Sequence, residues 1–319
     1  SMDELYMEEP GRGAPESNGG KPQMQPARDA ERSMRALDRE TAASIAQAEA
    51  PIGVFDSGAG GLTILSALRQ ELPGERYIYF ADTAHCPYGV RTEADIAALS
   101  LQISRFLIDQ GVKIIVVACN TASQAALATL RATYPFIQFV GVVPAVKPAA
   151  RATRNGRIAI AATNQAARAT YLQQLIDEFA GGIQAFAIGC PELVTLVEDG
   201  RFDGPQVEEA VRTALEPMLR EDVDVIVLGC THFPALRPLI ERVSGPHVQI
   251  IDSGVAIARR THYVLDTEGL IAPETQERPR EDQLTVWCSG NPEKFSYVAS
   301  KLLGYPLSAR QAGIITKDL

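Results

Sequence analysis

Short runs of β-branched and aromatic residues, separated by stretches with a helical apolar period, recur along this chain and restrict its fold more than any single motif does. The runs cover residues 51–55, 77–80, 113–118, 137–142, 157–161, 223–228, 248–251 and 284–288. Most are apolar throughout rather than alternating, a pattern that suits strands covered on both faces. Helical patterns lie between most of them. The rhythm predicts an α/β fold of mostly parallel sheets with helices on both faces.

With 319 residues, 46% of them hydrophobic, the chain can bury a large core, and its length favours about two domains. An internal echo supports two. Val116-Val117-Ala118-Cys119-Asn120-Thr121 matches Val227-Leu228-Gly229-Cys230-Thr231-His232: each is a buried run ending in a small residue, a cysteine and two polar residues. Phe55-Asp56-Ser57-Gly58 and Ile251-Asp252-Ser253-Gly254 form a second pair. The expectation is two related lobes. Residues 1–50 form a polar, then Ala-rich extension, expected to be mostly disordered or loosely helical around Met34, Leu37 and Ile45. The Pro- and charge-rich stretch 273–282 is expected to be a surface loop.

Composition removes several functions. A net charge of −9 and a pI near 5.1 argue against a surface made for nucleic acid or anionic lipid. The longest apolar runs, such as 114–118, fall far short of the roughly 18–20 residues of a membrane helix. The first 30 residues carry acids, glycines and prolines where a secretory signal has its apolar core, so the expected compartment is the cytoplasm. Five cysteines without a dense framework read as reduced thiols. Gly58-Ala59-Gly60-Gly61 lacks the third glycine of a dinucleotide fingerprint, and no phosphate-binding loop occurs, so no nucleotide cofactor is expected.

Ligands of parallel α/β sheets bind beyond the carboxyl ends of the strands. Cys119 and Cys230 both stand at such ends, where the positive end of a following helix should lower a thiol pKa. Plainer readings exist for each residue. A cysteine after a strand can be a small core residue, and Asp56-Ser57-Gly58 can be a turn and helix cap. His232 can be a buried imidazole or, with Cys230, a metal ligand, although one Cys-x-His pair lacks the ligand count of a zinc centre. Glu198 can be a solvated helix end, and Pro87-Tyr88-Gly89 an ordinary turn. Two cysteines in echoed settings, each followed by capping and ligand-binding residue types, favour function over core.

Four segments carry a specific resemblance. Residues 54–63 (Val-Phe-Asp-Ser-Gly-Ala-Gly-Gly-Leu-Thr), 82–89 ending Cys86-Pro87-Tyr88-Gly89, 117–123 (Val-Ala-Cys-Asn-Thr-Ala-Ser) and 228–234 (Leu-Gly-Cys-Thr-His-Phe-Pro) together resemble bacterial glutamate racemase, in its order and spacing, from Pro51 to at least Arg260. The resemblance implies a pseudo-twofold pair of lobes, one of residues 51–143 plus 252–319 and one of 144–251, with the active site in the cleft between them. It implies racemisation without pyridoxal phosphate or metal. A proton leaves one face of the substrate's α-carbon and returns on the other, so two monoprotic groups must face each other across it. Cys119 would be the base toward D-glutamate and Cys230 the base toward L-glutamate.

Supporting roles follow the same resemblance. Asp56 would assist Cys119 and His232 would assist Cys230, both bordering the substrate, with Asp82 and Glu198 as further acids. Ser57, Asn120, Thr121, Thr163 and Thr231 would bind the carboxylates and ammonium, and Pro87, Tyr88 and Gly89 would shape the wall. Cys86 and Cys190 would line the cleft, and Cys288 would be core. The chain has Ala166 where the family usually has a second threonine, leaving Gln165, another side chain or water to supply that contact. The extension and residues 141–150 look like a Gram-negative subgroup, some of whose members need the activator UDP-N-acetylmuramoyl-L-alanine. A homodimer supplying D-glutamate for peptidoglycan, and so for cell-wall growth and cell shape, is the expected setting. The rival readings are a two-cysteine racemase of aspartate or hydantoins and a non-catalytic solute-binding protein.

Overall fold

The computed structural model describes residues 43–44, 46–273 and 283–312. The predicted extension therefore lies outside the described residues up to position 42, and the predicted 273–282 loop does so after Pro273. The described strands are β1 (Ile52–Asp56), β2 (Tyr77–Ala81), β3 (Ile114–Val117), β4 (Gln138–Gly141), β5 (Arg157–Ala162), β6 (Gln184–Gly189), β7 (Val225–Leu228), β8 (Gln249–Ile251), β9 (Leu284–Cys288) and β10 (Ala309–Gln311). They form two sheets, ordered β10-β9-β2-β1-β3-β4 and β6-β5-β7-β8. Every pairing is parallel.

The order β2-β1-β3-β4 in the first sheet is the order β6-β5-β7-β8 of the second, and β9 and β10 extend the first sheet beyond β2. Hence β3 and β7, which lead to Cys119 and Cys230, are equivalent, as the first echo predicts. The second echo does not hold. Asp56 ends β1, whereas Asp252 follows β8, the counterpart of β4. An Asp-Ser-Gly triplet suits any tight turn, so its recurrence reflects turn chemistry rather than equivalent position.

Helices α1 (Leu62–Glu71), α2 (Glu93–Asp109), α3 (Asn120–Thr133), α4 (Val146–Ala152), α5 (Asn164–Arg168) and α6 (Thr170–Phe179) follow the early strands. Then come α7 (Pro191–Glu198), α8 (Pro205–Arg220), α9 (Arg237–Ser244), α10 (Gly254–Thr267) and α11 (Pro292–Leu303). Because side chains alternate across a strand, each sheet feeds two cores. In the first sheet Val54 and Val116 join Leu65 of α1, while Phe55 and Val117 join Ile103 of α2. In the second, Ala159 and Ile226 pack with Leu193 and Val211, and Ile158 and Val227 with Leu172. Burial on both faces explains why β2, β3 and β7 are apolar throughout and β1 is so up to Asp56, its last residue.

Two strands have no counterpart among the predicted runs, and both are edges. β6 is only half-buried after its first residue, and β10 is the polar tripeptide Ala309-Arg310-Gln311. Among the described residues no helix is long and apolar enough to cross a membrane.

Candidate active site

Parallel pairing brings the carboxyl ends of the strands to one end of each sheet, and the two sheets meet there around a small, tightly closed cavity of about 10 Å³. Cys119, two residues beyond β3, and Cys230, two beyond β7, both line it. Ser57, Asn120 and Thr121 enter from the first sheet; Thr163, Thr231 and His232 enter from the second. Pro87, Tyr88, Gly89 and Val194 close the wall. Of these, Val194 has no sequence signal as a site residue, being one more apolar position of α7.

Cys119 is the N-cap of α3, and its Sγ accepts a hydrogen bond from the Ala122 amide at 3.4 Å. The positive helix end is therefore present, yet the predicted lowering of this thiol does not follow. Burial raises the Cys119 pKa well above its ordinary value, the neighbouring Asp56 charge adds to the rise, and the Ala122 amide offsets only part of it. Asp56 is fully buried and does not line the cavity. It stands behind Cys119, within hydrogen-bonding reach, and its Oδ2 accepts from the Gly61 amide at 2.7 Å. Burial also raises the Asp56 carboxyl, against the pull of His232 and the Gly61 amide.

Cys230 has different neighbours. No α-helix begins directly at it: Phe233–Leu236 is a short 3₁₀ turn, and α9 starts only at Arg237. His232 Nδ1 lies 3.6 Å from Cys230 Sγ, and Nε2 lies 2.5 Å from Glu198 Oε1. Burial opposes a charge on this imidazole, but hydrogen bonds to Cys230, Cys86 and Glu198 outweigh it and raise the His232 pKa well above the usual histidine value. Glu198, at the end of α7, is thus the partner that holds His232 rather than a wall of the cavity. Its Oε1 also accepts from the Ala59 amide at 2.6 Å.

That last contact explains the glycine-rich turn after β1. A Cβ at Gly60 would stand 2.5 Å from His232 Nδ1, and one at Gly58 would collide with the Glu198 carboxylate. Only glycine lets this turn approach the His232–Glu198 pair so closely. Further bonds join the two sides of the cavity: Thr121 and Thr163 hydroxyls are 2.8 Å apart, and the Thr63 hydroxyl donates to the Thr231 carbonyl at 3.0 Å.

Several expected positions turn out otherwise. Asp82 does not line the cavity; it accepts from the Tyr88 and Ser289 hydroxyls, each at 2.6 Å, and pairs with His85, so it fixes the wall loop. Ala166 is buried, and its amide donates to Thr163 Oγ1 at 3.1 Å, which caps α5. Gln165 is not among the residues lining this cavity. Cys190 is fully buried in the second sheet's core, because it caps α7 from the core side, and so does not line the cleft. Cys288 is core, as predicted. Cys86 is half-buried and lines a separate outer cavity with Glu198. Burial pushes its thiol up to about 11, against a hydrogen bond with His232.

The Asp/Glu/Hydantoin racemase family model matches residues 52–261. The glutamate racemase of Pseudomonas aeruginosa (strain UCBPP-PA14) is 41% identical over 259 residues, 81% of this chain and 96% of that protein. The crystal structure of glutamate racemase isoform RacE1 from Bacillus anthracis superposes with a TM-score of 0.74 at 32% identity, covering 84% of this chain and 99% of that one. Escherichia coli glutamate racemase, solved in complex with L-glutamate and the activator UDP-MurNAc-ala, gives 0.72 at 35% identity, covering 82% and 97%. Two parallel sheets of one strand order, a cysteine delivered by each to a common cavity, and these matches lead to one assignment: the chain belongs to the aspartate/glutamate/hydantoin racemase family, among the glutamate racemases.

Proposed function

We propose that this protein interconverts L- and D-glutamate by passing protons between the substrate's α-carbon and two thiols, Cys119 and Cys230. The observation that carries the reading is that both sulfurs line one cavity, each arriving from a different sheet. With L-glutamate bound, the Cys230 thiolate takes the α-proton and the electron pair left on carbon spreads into the α-carboxylate. The Cys119 thiol then donates its proton to the opposite face, giving D-glutamate, a Cys119 thiolate and a Cys230 thiol. The reverse direction exchanges the roles.

The negative charge that builds on the carboxylate meets hydroxyl and amide donors fixed by the fold, among them Ser57, Asn120, Thr121, Thr163 and Thr231, with the N-terminus of α3 beside them. Asp56 serves Cys119, and the His232–Glu198 pair serves Cys230. We read the two sheets as the cores of two lobes, residues 51–143 plus 252–319 and residues 144–251, with the substrate between them. By similarity to the E. coli enzyme, UDP-N-acetylmuramoyl-L-alanine is a candidate activator, tested by the rate with and without it. A cytoplasmic homodimer supplying D-glutamate to peptidoglycan is the setting that goes with this reading.

Exchange of the α-proton in deuterated water tests the mechanism. Cys119→Ser and Cys230→Ser should each lower racemisation by roughly 10²–10⁴-fold. Cys119→Ser should retain exchange of L-glutamate without inversion, and Cys230→Ser should retain that of D-glutamate. Undiminished racemisation in either variant would sink the two-thiol reading.

A further inference from the structure

We propose that Cys86, Glu198 and His232 form a site for a borderline-soft divalent cation of the Zn²⁺ class, and that filling it switches off proton transfer at Cys230. The Cys86 sulfur, a Glu198 carboxylate oxygen and an imidazole nitrogen of His232 all lie within 4.8 Å of one another. Tetrahedral zinc with bonds of about 2.0–2.3 Å spaces its ligand atoms roughly 3.3–3.8 Å apart, so small side-chain rotations bring the three into range. Thiolate, imidazole and carboxylate are all ligands zinc accepts, and three of them leave the fourth position to water. Binding releases two protons to solvent, one from the Cys86 thiol and one from the His232 nitrogen that takes the cation. The sequence could not show this set, because it draws one ligand from each of three distant segments.

Access follows from the two cavities. Cys86 and Glu198 line the outer one, together with Asn291 and Lys294, while His232 lines the inner one with Cys119 and Cys230. The three ligands thus stand in the partition, and a cation can reach them without crossing the substrate cavity. In the metal-free protein His232 faces Cys230 through Nδ1 and Glu198 through Nε2, so the ring needs both nitrogens to pass a proton along. A cation on either nitrogen interrupts that path. The switching half rests on the role assigned to His232 under the proposed function; the binding half does not.

Co²⁺ and Zn²⁺ titrations of the intact chain separate the two halves. Co²⁺ should give a thiolate-to-metal absorption band at one equivalent, and Zn²⁺ should displace it. Cys86→Ala and Glu198→Gln should each weaken the cation by roughly 10–100-fold. Zn²⁺ should inhibit racemisation, a chelator should restore it, and in Cys86→Ala the inhibition should need that much more zinc, relative to the variant's own zinc-free rate. An absorption band or zinc affinity unchanged by Cys86→Ala would place the metal on other thiols and overturn the site. Zinc bound through Cys86 with racemisation undisturbed would overturn the switch. A chain without racemase activity would defeat the proposed function, while the cobalt spectrum would still test the site.

Discussion

Cys119 and Cys230 follow equivalent strands of two sheets that share the order of four strands, yet the groups that support them differ. Around Cys119 the supporting groups are a helix N-terminus and a fully buried carboxyl, and burial keeps the proton on sulfur. Beside Cys230 stands an imidazole whose pKa is raised and whose far side is held by Glu198. The two thiols assigned as bases thus have different supports, a helix end and a carboxyl for one and an imidazole–carboxylate pair for the other.

The ratio kcat/KM cannot reveal this asymmetry. Enantiomers have equal free energies in water, so kcat/KM must be the same in both directions whatever is mutated. Exchange of the α-proton escapes that constraint, because each enantiomer meets one base first. His232→Asn should lower racemisation by roughly 100-fold, abolish exchange of L-glutamate first and spare that of D-glutamate; equal losses would erase the distinction between the two sides. Asp56→Asn should do the mirror image, with a loss of roughly 10–100-fold in exchange of D-glutamate.

Smaller effects sharpen the same contrast. Gly60→Ala forces the turn away from His232, and should cost about 1–3 kcal/mol of stability in denaturant titrations while acting mainly on L-glutamate exchange. In Cys230→Ser, exchange of D-glutamate depends on the Cys119 thiolate, whose pKa is raised. It should climb about tenfold per pH unit through neutrality, with no plateau in the ordinary thiol range. Thr63→Val, which deletes the hydroxyl bonded to the Thr231 carbonyl, should cost about 1 kcal/mol, seen as a small fall in Tm.

Much of the architecture is legible in the sequence because β1, β3 and β7 are buried on both faces and leave no polar interruption. β6 and β10 escape because edge strands need no such pattern. At the site, Cys119, Cys230 and their polar neighbours are legible as strand-end residues. The order in which they stand is not. That Asp56 and Glu198 sit behind the cavity rather than on its wall, and that Asp82 holds Tyr88, depends on which strands are adjacent and how closely the two sides approach. The rise of the Cys119 pKa was equally hidden: the helix end can be read from the chain, but the depth of burial that outweighs it cannot.

The strand order also sets an order of assembly. All of the second sheet is drawn from one continuous stretch, Arg157 to Ile251, whereas β2 must wait for Leu284 before its outer neighbour exists. A ribosome releasing this chain from its N-terminus delivers the second sheet whole before it finishes the first. The half that carries Cys230 can therefore reach its final packing while the edge of the half that carries Cys119 is still open, with β2 an unpaired border exposed to other nascent chains.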